Sequence, residues 1–300
     1  MKPELLERAN RIAADNISSQ QQILKDMLDL LMNFSAQDAY ALNFIQDLKL
    51  LSTAIANAQL QMSALSNMCR LIVSASDKLK PGDINTYLKN LWDKIENSSS
   101  IAASKASKLI SDGKSYATIS QSEFVTKTFE RASSENKHVT IFVMESRPLF
   151  EGRQTARALT KMGHRVILLS DASIGFFINE IDSAFVGADS ILSDGTLINK
   201  IGSYPLAVCC ADAKKKFYAV TSVLKYDSEK TSDDFVNKEE SADEICANPE
   251  FSEGTCGEVR NFYFDKIKPE LVTAIITETG SIFPSSELAD LNSAMREIYG

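Results

Sequence analysis

Residues 113–144 read GKSYATISQSEFVTKTFERASSENKHVTIFVM, and two β-type runs in them flank a helical pattern. The runs cover 115–119 and 139–144, and the helical pattern covers 122–134. A strand, a helix and a second strand in close succession are typical of a βαβ unit, in which the two strands lie parallel in one sheet. This segment therefore predicts a parallel sheet covered by helices.

The same alternation continues downstream. Further β-type runs lie at 165–169, 184–186 and 217–221, and helical patterns lie at 152–162, 174–181 and 204–215. We therefore predict an α/β fold in which residues 113–300 form a Rossmann-like domain with a mainly parallel sheet. In such a domain a ligand binds beyond the carboxyl ends of the strands.

Upstream, the composition indicates a helical domain. The first 112 residues contain a single glycine, Gly82, whereas the remaining 188 contain eleven. Apolar residues such as Ile23, Met27 and Leu30 keep helical spacing, and helix formers dominate the segment. We predict an all-helical domain over residues 1–112, whose last helix covers about 84–111 after a break at 80–83.

The whole chain has the composition of a globular cytoplasmic protein. Its 300 residues are 44% hydrophobic and 24% charged, and a net charge of −8 argues against a nucleic-acid partner bound by a general basic surface. No apolar run reaches the ~18 residues of a membrane span, and the start lacks the core of a signal peptide. Five cysteines without a CxxC pair and two histidines, His138 and His164, predict neither a disulfide framework nor a metal centre, and no motif predicts a cofactor.

One segment carries most of the negative charge. Residues 227–258, which we call the acidic arm, contain eleven acidic residues against Lys230 and Lys238, a net charge of −9. Such a run is usually a solvated surface loop. The functional alternative is a docking surface for a basic partner.

Two polar clusters follow predicted strands. ESRPLFEGR at 145–153 brings Arg147 and Arg153 to a helix start, where a phosphate can bind, although Arg–Glu surface pairs are the simpler interpretation of these nine residues alone. GADSILSDGTLINKIGSY at 187–204 places Asp189 at a strand end as a candidate base, with Asn199 and Lys200 at a turn into a helix. An amide, an ammonium group and a helix N-terminus together suit a sugar phosphate.

These clusters, with NFYFDKIKPE at 261–270 and the ending at 271–284, resemble the superfamily of translation initiation factor 2B regulatory subunits. Ribose-1,5-bisphosphate isomerase and methylthioribose-1-phosphate isomerase belong to the same superfamily. The resemblance covers the α/β half of the chain in order. It implies a helical domain followed by a Rossmann-like domain that forms a homodimer, and we expect the apolar run at 271–276 to be buried in that interface.

The departures from the isomerases favour a regulatory factor. The isomerases have a catalytic cysteine where this chain has Ser120, and a serine hydroxyl does not shuttle protons at neutral pH without a neighbouring base. They also bind phosphate with an Arg–Gly–Ala segment, and the corresponding residues 16–20 are NISSQ here. The resemblance implies that Asp189, Asn199 and Lys200 are retained.

We therefore predict a factor 2B-like regulatory subunit. It binds initiation factor 2 through the alpha subunit of that factor, and it retains a pocket for a phosphorylated sugar or nucleotide without turnover. The pocket residues that we predict are Ser120, Arg147, Arg153, Asp189, Asn199 and Lys200. The alternatives are a sugar-phosphate isomerase that uses Asp189 as its base, a sensor of another ligand on the same fold, and a scaffold that binds no ligand.

Overall fold

The computed structural model describes residues 3–15, 18–39, 41–58, 61–246, 257–283 and 288–300. It begins with five helices, α1 (Pro3–Ala13), α2 (Gln20–Asp38), α3 (Phe44–Ala58), α4 (Ser63–Ser76) and α5 (Pro81–Ala106). Their apolar residues at helical spacing are buried against one another, Ile23, Met27 and Leu30 among them. Helix α5 begins earlier than predicted because Pro81 occupies its first turn, where the fixed φ of proline suits a helix.

The remaining elements alternate between strands and helices, which confirms the predicted fold class. In chain order they are β1 (Ser115–Ile119), α6 (Glu123–Ser134), β2 (Thr140–Met144), α7 (Glu151–Lys161), β3 (Arg165–Leu169), α8 (Ile174–Phe177), β4 (Ser183–Val186), β5 (Ser190–Leu192), β6 (Leu197–Lys200), α9 (Ser203–Asp212), β7 (Lys216–Val220), β8 (Tyr226–Asp227), β9 (Phe264–Ile267), β10 (Ala274–Ile276), β11 (Ser281–Ile282) and α10 (Ala289–Tyr299). No helix in the described ranges is long and apolar enough to cross a membrane.

The main sheet has seven strands in the order β11-β10-β7-β4-β1-β2-β3. All neighbouring strands are parallel except β10 and β11. Both faces are covered, so alternate residues of one strand enter different cores: Tyr116 packs with Phe129 of α6, whereas Ala117 belongs to the core on the other face, which includes Leu206 of α9. Burial on both faces explains why these strands are almost continuously apolar.

The apolar run at 271–276 has a different role from the one we predicted. Ala274–Ile276 form β10, which lies between β7 and β11 in the sheet of its own chain. The sheet itself therefore explains the apolar character of this run, and a dimer interface is not needed to bury it.

A second sheet, with the strand order β8-β5-β6-β9, was not predicted. Strands β5 and β6 form an antiparallel hairpin. The predicted turn at 199–200 is therefore the end of strand β6, and Asn199 and Lys200 pair there with Asp265 and Phe264 of β9.

The strand order places a crevice between β1 and β4. From β1 the chain continues to β2 and β3 on one side, and it then returns to β4 and β7 on the other. The connections that follow β1 and β4 therefore run in opposite directions and leave a crevice between them. Such a reversal of the strand order, called a topological switch point, is where α/β sheets bind ligands. The helical region packs against this part of the domain: Asn67 of α4 donates hydrogen bonds to the carbonyl oxygens of Leu224 at 2.8 Å and Tyr226 at 2.7 Å.

Candidate functional site

A cavity of about 100 Å³ lies at this switch point. Its walls come from the start of α2, the loops after β1 and β4, the end of β6 and the turn after β7. The lining residues are 18–21, 119–124, 187–189, 199–200 and 263–264, together with Met62, Leu149, Glu151 and Lys225. The cavity therefore lies between the helical region and the carboxyl edge of the sheet.

The loops after β1 and β4 are in close contact in the cavity wall. A Cβ atom on Gly187 would lie 2.8 Å from Oγ of Ser122, so a larger residue at 187 would push the loops apart. The same Ser122 hydroxyl caps α6 by accepting a hydrogen bond from the backbone N–H of Val125. Gly187 thus allows a helix N-terminus to lie beside the end of β4.

Asp189 lies in the cavity wall directly after this contact. Its backbone N–H donates to the carbonyl oxygen of Ile198 at 2.7 Å, which fixes the residue to the β5–β6 hairpin. Burial raises the pKa of the Asp189 carboxyl above its ordinary value of 3.8; the positive charges of Lys225 and Lys200 oppose this shift and the charge of Glu151 reinforces it. A carboxylate with a raised pKa is a stronger base than an ordinary aspartate.

Lys225 also lines the cavity, and the sequence analysis missed it. It lies on the 3₁₀ turn Val223–Lys225 after β7, where its Nζ donates to the carbonyl oxygen of Ala188 at 2.6 Å. Burial lowers the pKa of its ammonium group below the ordinary 10.5, against the opposing effect of nearby carboxylates, Asp189 first. The sequence signal that could have identified Lys225 is a lysine among apolar residues just after the predicted strand at 217–221.

Lys200 and Glu151 form an ion pair in the same cavity. Nζ of Lys200 lies 2.7 Å from Oε1 of Glu151 and 4.7 Å from the ring centroid of Tyr263, and the lysine is buried. Oε2 of Glu151 is buried and has no hydrogen-bond partner among the described residues. The cavity thus contains two buried lysines, of which one is already paired with a carboxylate.

Ser120 follows β1 and lines the cavity in a left-handed backbone conformation, with φ of 65°. Its N–H donates to Oγ of Ser146 at 2.7 Å, and its carbonyl oxygen accepts from Oγ1 of Thr155 at 2.7 Å. These bonds fix the backbone and leave the hydroxyl at the cavity wall. No cysteine belongs to the part of the cavity wall that the structure describes.

Ser18, Ser19 and Gln20 form the cavity wall at the start of α2. They belong to the 16–20 segment, of which Asn16 and Ile17 lie outside the described residues. Ser19 caps α2 by accepting a hydrogen bond from the N–H of Gln22. Gln20 is only 4% exposed, and neither its amide nitrogen nor its amide oxygen has a hydrogen-bond partner in the described structure.

The structure brings together four of the six predicted pocket residues: Ser120, Asp189, Asn199 and Lys200. Arg147 and Arg153 do not line the cavity. Arg153 pairs with Glu145 at 2.7 Å, and Arg147 donates to the carbonyl oxygen of Ile245 in the acidic arm at 3.2 Å. Both guanidinium groups also stack on the ring of Phe150. Arg153 therefore forms an Arg–Glu surface pair, the simpler of the two interpretations given for this segment, because Glu145 balances its charge outside the cavity.

The helix N-termini at the cavity also differ in part from those expected. The start of α9 is occupied, because the carboxylate of Asp265 accepts hydrogen bonds from the N–H groups of Gly202 at 2.7 Å and Tyr204 at 2.9 Å. Asn199 supports the same helix start by donating from Nδ2 to Oγ of Ser203 at 2.8 Å. The helix starts that line the cavity are those of α2 and α6 and, through Leu149 and Glu151, that of α7, the helix start expected from the sequence.

Much of the charge in the described part of the acidic arm is used within the chain. Asp227 is buried and accepts hydrogen bonds from two backbone N–H groups that follow it. Glu239 pairs with Arg260 at 2.6 Å, and Glu244 accepts hydrogen bonds from Asn261 and Tyr263. The arm residues 247–256 lie outside the described ranges. The described acids thus help to fold the arm against the second sheet.

Comparison with known proteins identifies clear relatives of this chain. The model of the Initiation factor 2 subunit family matches residues 16–284. The ribose 1,5-bisphosphate isomerase of Archaeoglobus fulgidus is 27% identical over 94% of this chain and 90% of its own. A translation initiation factor eIF-2B subunit 2-like protein of Pyrococcus furiosus is 29% identical over 76% of this chain and 78% of its own.

A solved structure is similar over almost the whole chain. The crystal structure of the Pyrococcus horikoshii translation initiation factor eIF-2B superposes with a TM-score of 0.80 at 26% identity. The match covers 95% of this chain and 98% of that one. Named relatives of this chain thus include both a factor and an isomerase.

Proposed function

The chain belongs to the Initiation factor 2 subunit family, and from this premise we propose that it is a factor 2B-like regulatory subunit whose cavity binds a phosphorylated sugar or nucleotide without converting it. The observation that carries the proposal is the chemistry at the end of β1. Ser120 supplies a hydroxyl there, and no thiol lies in the described cavity wall. A hydroxyl has too high a pKa to exchange protons with a substrate at neutral pH unless a base activates it.

The cavity keeps the groups that bind a phosphate. Lys225 makes one hydrogen bond, to a carbonyl oxygen, and an ammonium group can donate three. The start of α6 adds the partial positive charge of a helix N-terminus. These features support ligand binding, whereas the absence of a thiol argues against turnover.

Binding and turnover can be measured on one preparation. Titration calorimetry with ribose 1,5-bisphosphate, ribose phosphates and nucleoside monophosphates tests binding, and formation of ribulose 1,5-bisphosphate tests turnover. Lys225→Met should weaken binding by about 1.5–3 kcal/mol, the range for a hydrogen bond to a charged group. Lys78→Met, which replaces an exposed lysine of the helical region, is the matched control. Ribulose 1,5-bisphosphate formed at an enzymatic rate by the wild type would contradict the proposal.

The second candidate function is a sugar-phosphate isomerase. It is favoured by two perturbed groups in one cavity, because the pKa of Asp189 is raised and that of Lys225 is lowered. Such pairs occur at sites of acid–base catalysis. Ser120→Cys separates the two functions, with Ser120→Ala as its control. Turnover by Ser120→Cys alone supports the non-catalytic function, with a binding site that lacks one catalytic group. Turnover by the wild type, Ser120→Cys and Ser120→Ala supports the isomerase.

The partner proposed for the regulatory subunit is the alpha subunit of initiation factor 2. Asp243 is an exposed acid of the described arm, and exposed charges steer association more than they stabilise a complex. Asp243→Asn should slow binding to purified initiation factor 2 at low salt, while Asp83→Asn in the helical region should not. Equal association rates for the wild type and Asp243→Asn would assign the arm a purely solvated role, and no binding by the wild type would remove this partner.

A further inference from the structure

Gln20 is a buried polar side chain whose amide has no hydrogen-bond partner among the described residues. Its amide nitrogen and oxygen have no partner in the described structure, although the residue is 96% buried and lines the cavity. A buried amide without hydrogen bonds costs about 1–3 kcal/mol. A leucine of similar size would avoid this cost, so the glutamine makes the protein less stable unless a ligand or water bonds to it.

Oε2 of Glu151 is a second unsatisfied atom in the same cavity. Glu151 also lines an adjoining cavity of about 450 Å³ together with Ser18 and Ser19, so Glu151 and the start of α2 form walls of the same space. A hydroxyl group can donate to this oxygen, and it can both donate to and accept from an amide. The two residues together therefore match a ligand end that carries hydroxyl groups.

The charges of the cavity wall differ between its two sides. Both lining lysines lie on the sheet side, Lys200 at the end of β6 and Lys225 after β7. The carboxylates of Asp189 after β4 and Glu123 at the start of α6 line the same side. The lining residues at the start of α2 are Ser18, Ser19, Gln20 and Gln21, none of which is charged. The dipole of α2 favours an anion there, but the carboxylate of Glu151 opposes one. A phosphoryl group is therefore bound better on the lysine side.

We propose that Gln20 and the free oxygen of Glu151 bind the hydroxyl groups of a sugar, so that this cavity selects sugar phosphates with one phosphoryl group over bisphosphates. This inference rests on the proposed function, because it concerns the ligand of the same cavity. It makes Gln20 a specificity-determining residue. The sequence feature responsible is the NISSQ segment, which contains two amide side chains, Asn16 and Gln20, and no cation.

Titration calorimetry with ribose 1-phosphate, ribose 5-phosphate and ribose 1,5-bisphosphate tests this selection, because these ligands differ by one phosphoryl group. The wild type should bind at least one monophosphate about tenfold or more tightly than the bisphosphate, a difference of about 1.4 kcal/mol. Gln20→Arg should narrow or reverse this preference by adding a cation. Gln37→Arg, on an exposed position at the other end of α2, should leave it unchanged.

Gln20→Leu provides a second measurement. This variant should weaken the binding of the monophosphate about tenfold, because the sugar hydroxyls lose a partner. It should also raise the melting temperature of the ligand-free protein by a few degrees, since it removes an unsatisfied buried amide. Gln37→Leu should change neither quantity. A variant that is merely misfolded would melt lower, so the two readouts together separate recognition from damage.

The outcomes distinguish this inference from the proposed function. A wild type that binds the bisphosphate as tightly as the monophosphates, or a Gln20→Leu variant with unchanged affinity, overturns the inference alone. Turnover overturns the non-catalytic proposal and leaves the role of Gln20 standing. A wild type that binds none of the three ribose phosphates but binds a nucleoside monophosphate overturns the inference alone, and one that binds neither class of ligand removes both the pocket and its selectivity.

Discussion

At the scale of single residues, Asp189 and Lys225 are two opposite charges that burial disfavours in the same way. Burial raises the pKa of the acid and lowers that of the base, while the attraction between them acts against both shifts. The attraction is the weaker effect for each group. A change of pH therefore neutralises either group more easily than it neutralises an exposed residue of the same type.

The raised pKa of Asp189 predicts a pH-dependent gain in stability for Asp189→Asn. Because the folded state binds this proton more tightly than the unfolded state, ionisation costs stability as the pH rises from 3.8 through the raised pKa. The asparagine variant avoids this cost, so it should be more stable than the wild type at neutral pH and equal to it below pH 3.8. Urea unfolding across this pH range measures the difference.

Asp194 on the same hairpin is the control with the opposite sign. Burial alone would raise the pKa of its carboxyl, but hydrogen bonds from Ser232 and Thr196 outweigh burial and lower it. Its stabilising effect is present above its unfolded pKa and is lost as the pH falls through the folded one. Asp194→Asn should therefore be less stable than the wild type at neutral pH. If Asp189→Asn behaves in the same way, attraction to the lysines outweighs burial at Asp189.

The sequence could predict which residues lie at the cavity where the end of a strand determines the location of the residue that follows it. Asp189 follows a predicted strand whose carboxyl end lies at the ligand-binding edge of the sheet, and the family resemblance placed Ser120 in the same pocket. Arg153 failed because Glu145, eight residues earlier, binds its guanidinium group at the surface. Only the family resemblance brought the 16–20 segment, which contains Gln20, to the pocket, because α2 reaches the cavity through packing between the helical region and the sheet, which no local pattern encodes.

At the scale of elements, the C-terminal helix α10 supports the turn that carries Lys225. Tyr299 is fully buried, and its hydroxyl donates to Oε1 of Glu278 at 3.0 Å. The Glu278 carboxylate also accepts from the N–H of Val223 and from Oγ of Ser222. One carboxylate thus connects the last helix to the start of the turn after β7.

Tyr299→Phe should therefore destabilise the protein by about 1–3 kcal/mol, the cost of removing one buried hydrogen-bond partner. It should also weaken ligand binding modestly, because Lys225 lies on the supported turn. Tyr87→Phe is the control, since its hydroxyl lies 3.5 Å from the carbonyl oxygen of Leu71, at the limit of a hydrogen bond. Denaturant unfolding and calorimetry measure the two effects, and equal stabilities for both variants would contradict the supporting role of α10.

Elements were predicted best where their apolar runs were long. The β-type runs that give β1, β2 and β3 have five residues or more and clear helical patterns between them. Strands β5, β6, β8 and β9 have two to four residues each, too few for a period of two to be distinguished from a turn. Asn199 and Lys200 were consequently placed in a turn, although cross-strand pairing with β9 holds them in a sheet.

At the scale of the whole molecule, charged groups join the two halves beside the cavity. Lys25 of α2 lies 2.7 Å from Glu96 of α5 and 3.6 Å from Glu123 at the start of α6. Burial alone would raise the pKa of Glu123, but Lys127, Ser99 and Lys25 together lower it. The start of α6 is thus tied to the helical region, which keeps the two walls of the cavity in a fixed relation.

Exposed apolar side chains on two helices of the α/β half predict where a second copy of the chain binds. Helices α8 and α9 cover one face of the sheet and expose Phe176 at 81%, Tyr204 at 37% and Val208 at 40%. Such a group of apolar side chains on adjacent helices is typical of an interface.

We expect a homodimer through this face, and Phe176→Asp with Val208→Asp should convert it to a monomer of 33.0 kDa in light scattering at micromolar concentration. Leu42→Asp, on a fully exposed leucine of the helical region, should leave the dimer intact. A monomeric wild type would contradict the homodimer. A double variant that stays dimeric while Leu42→Asp dissociates would show that the interface lies away from the sheet-covering helices.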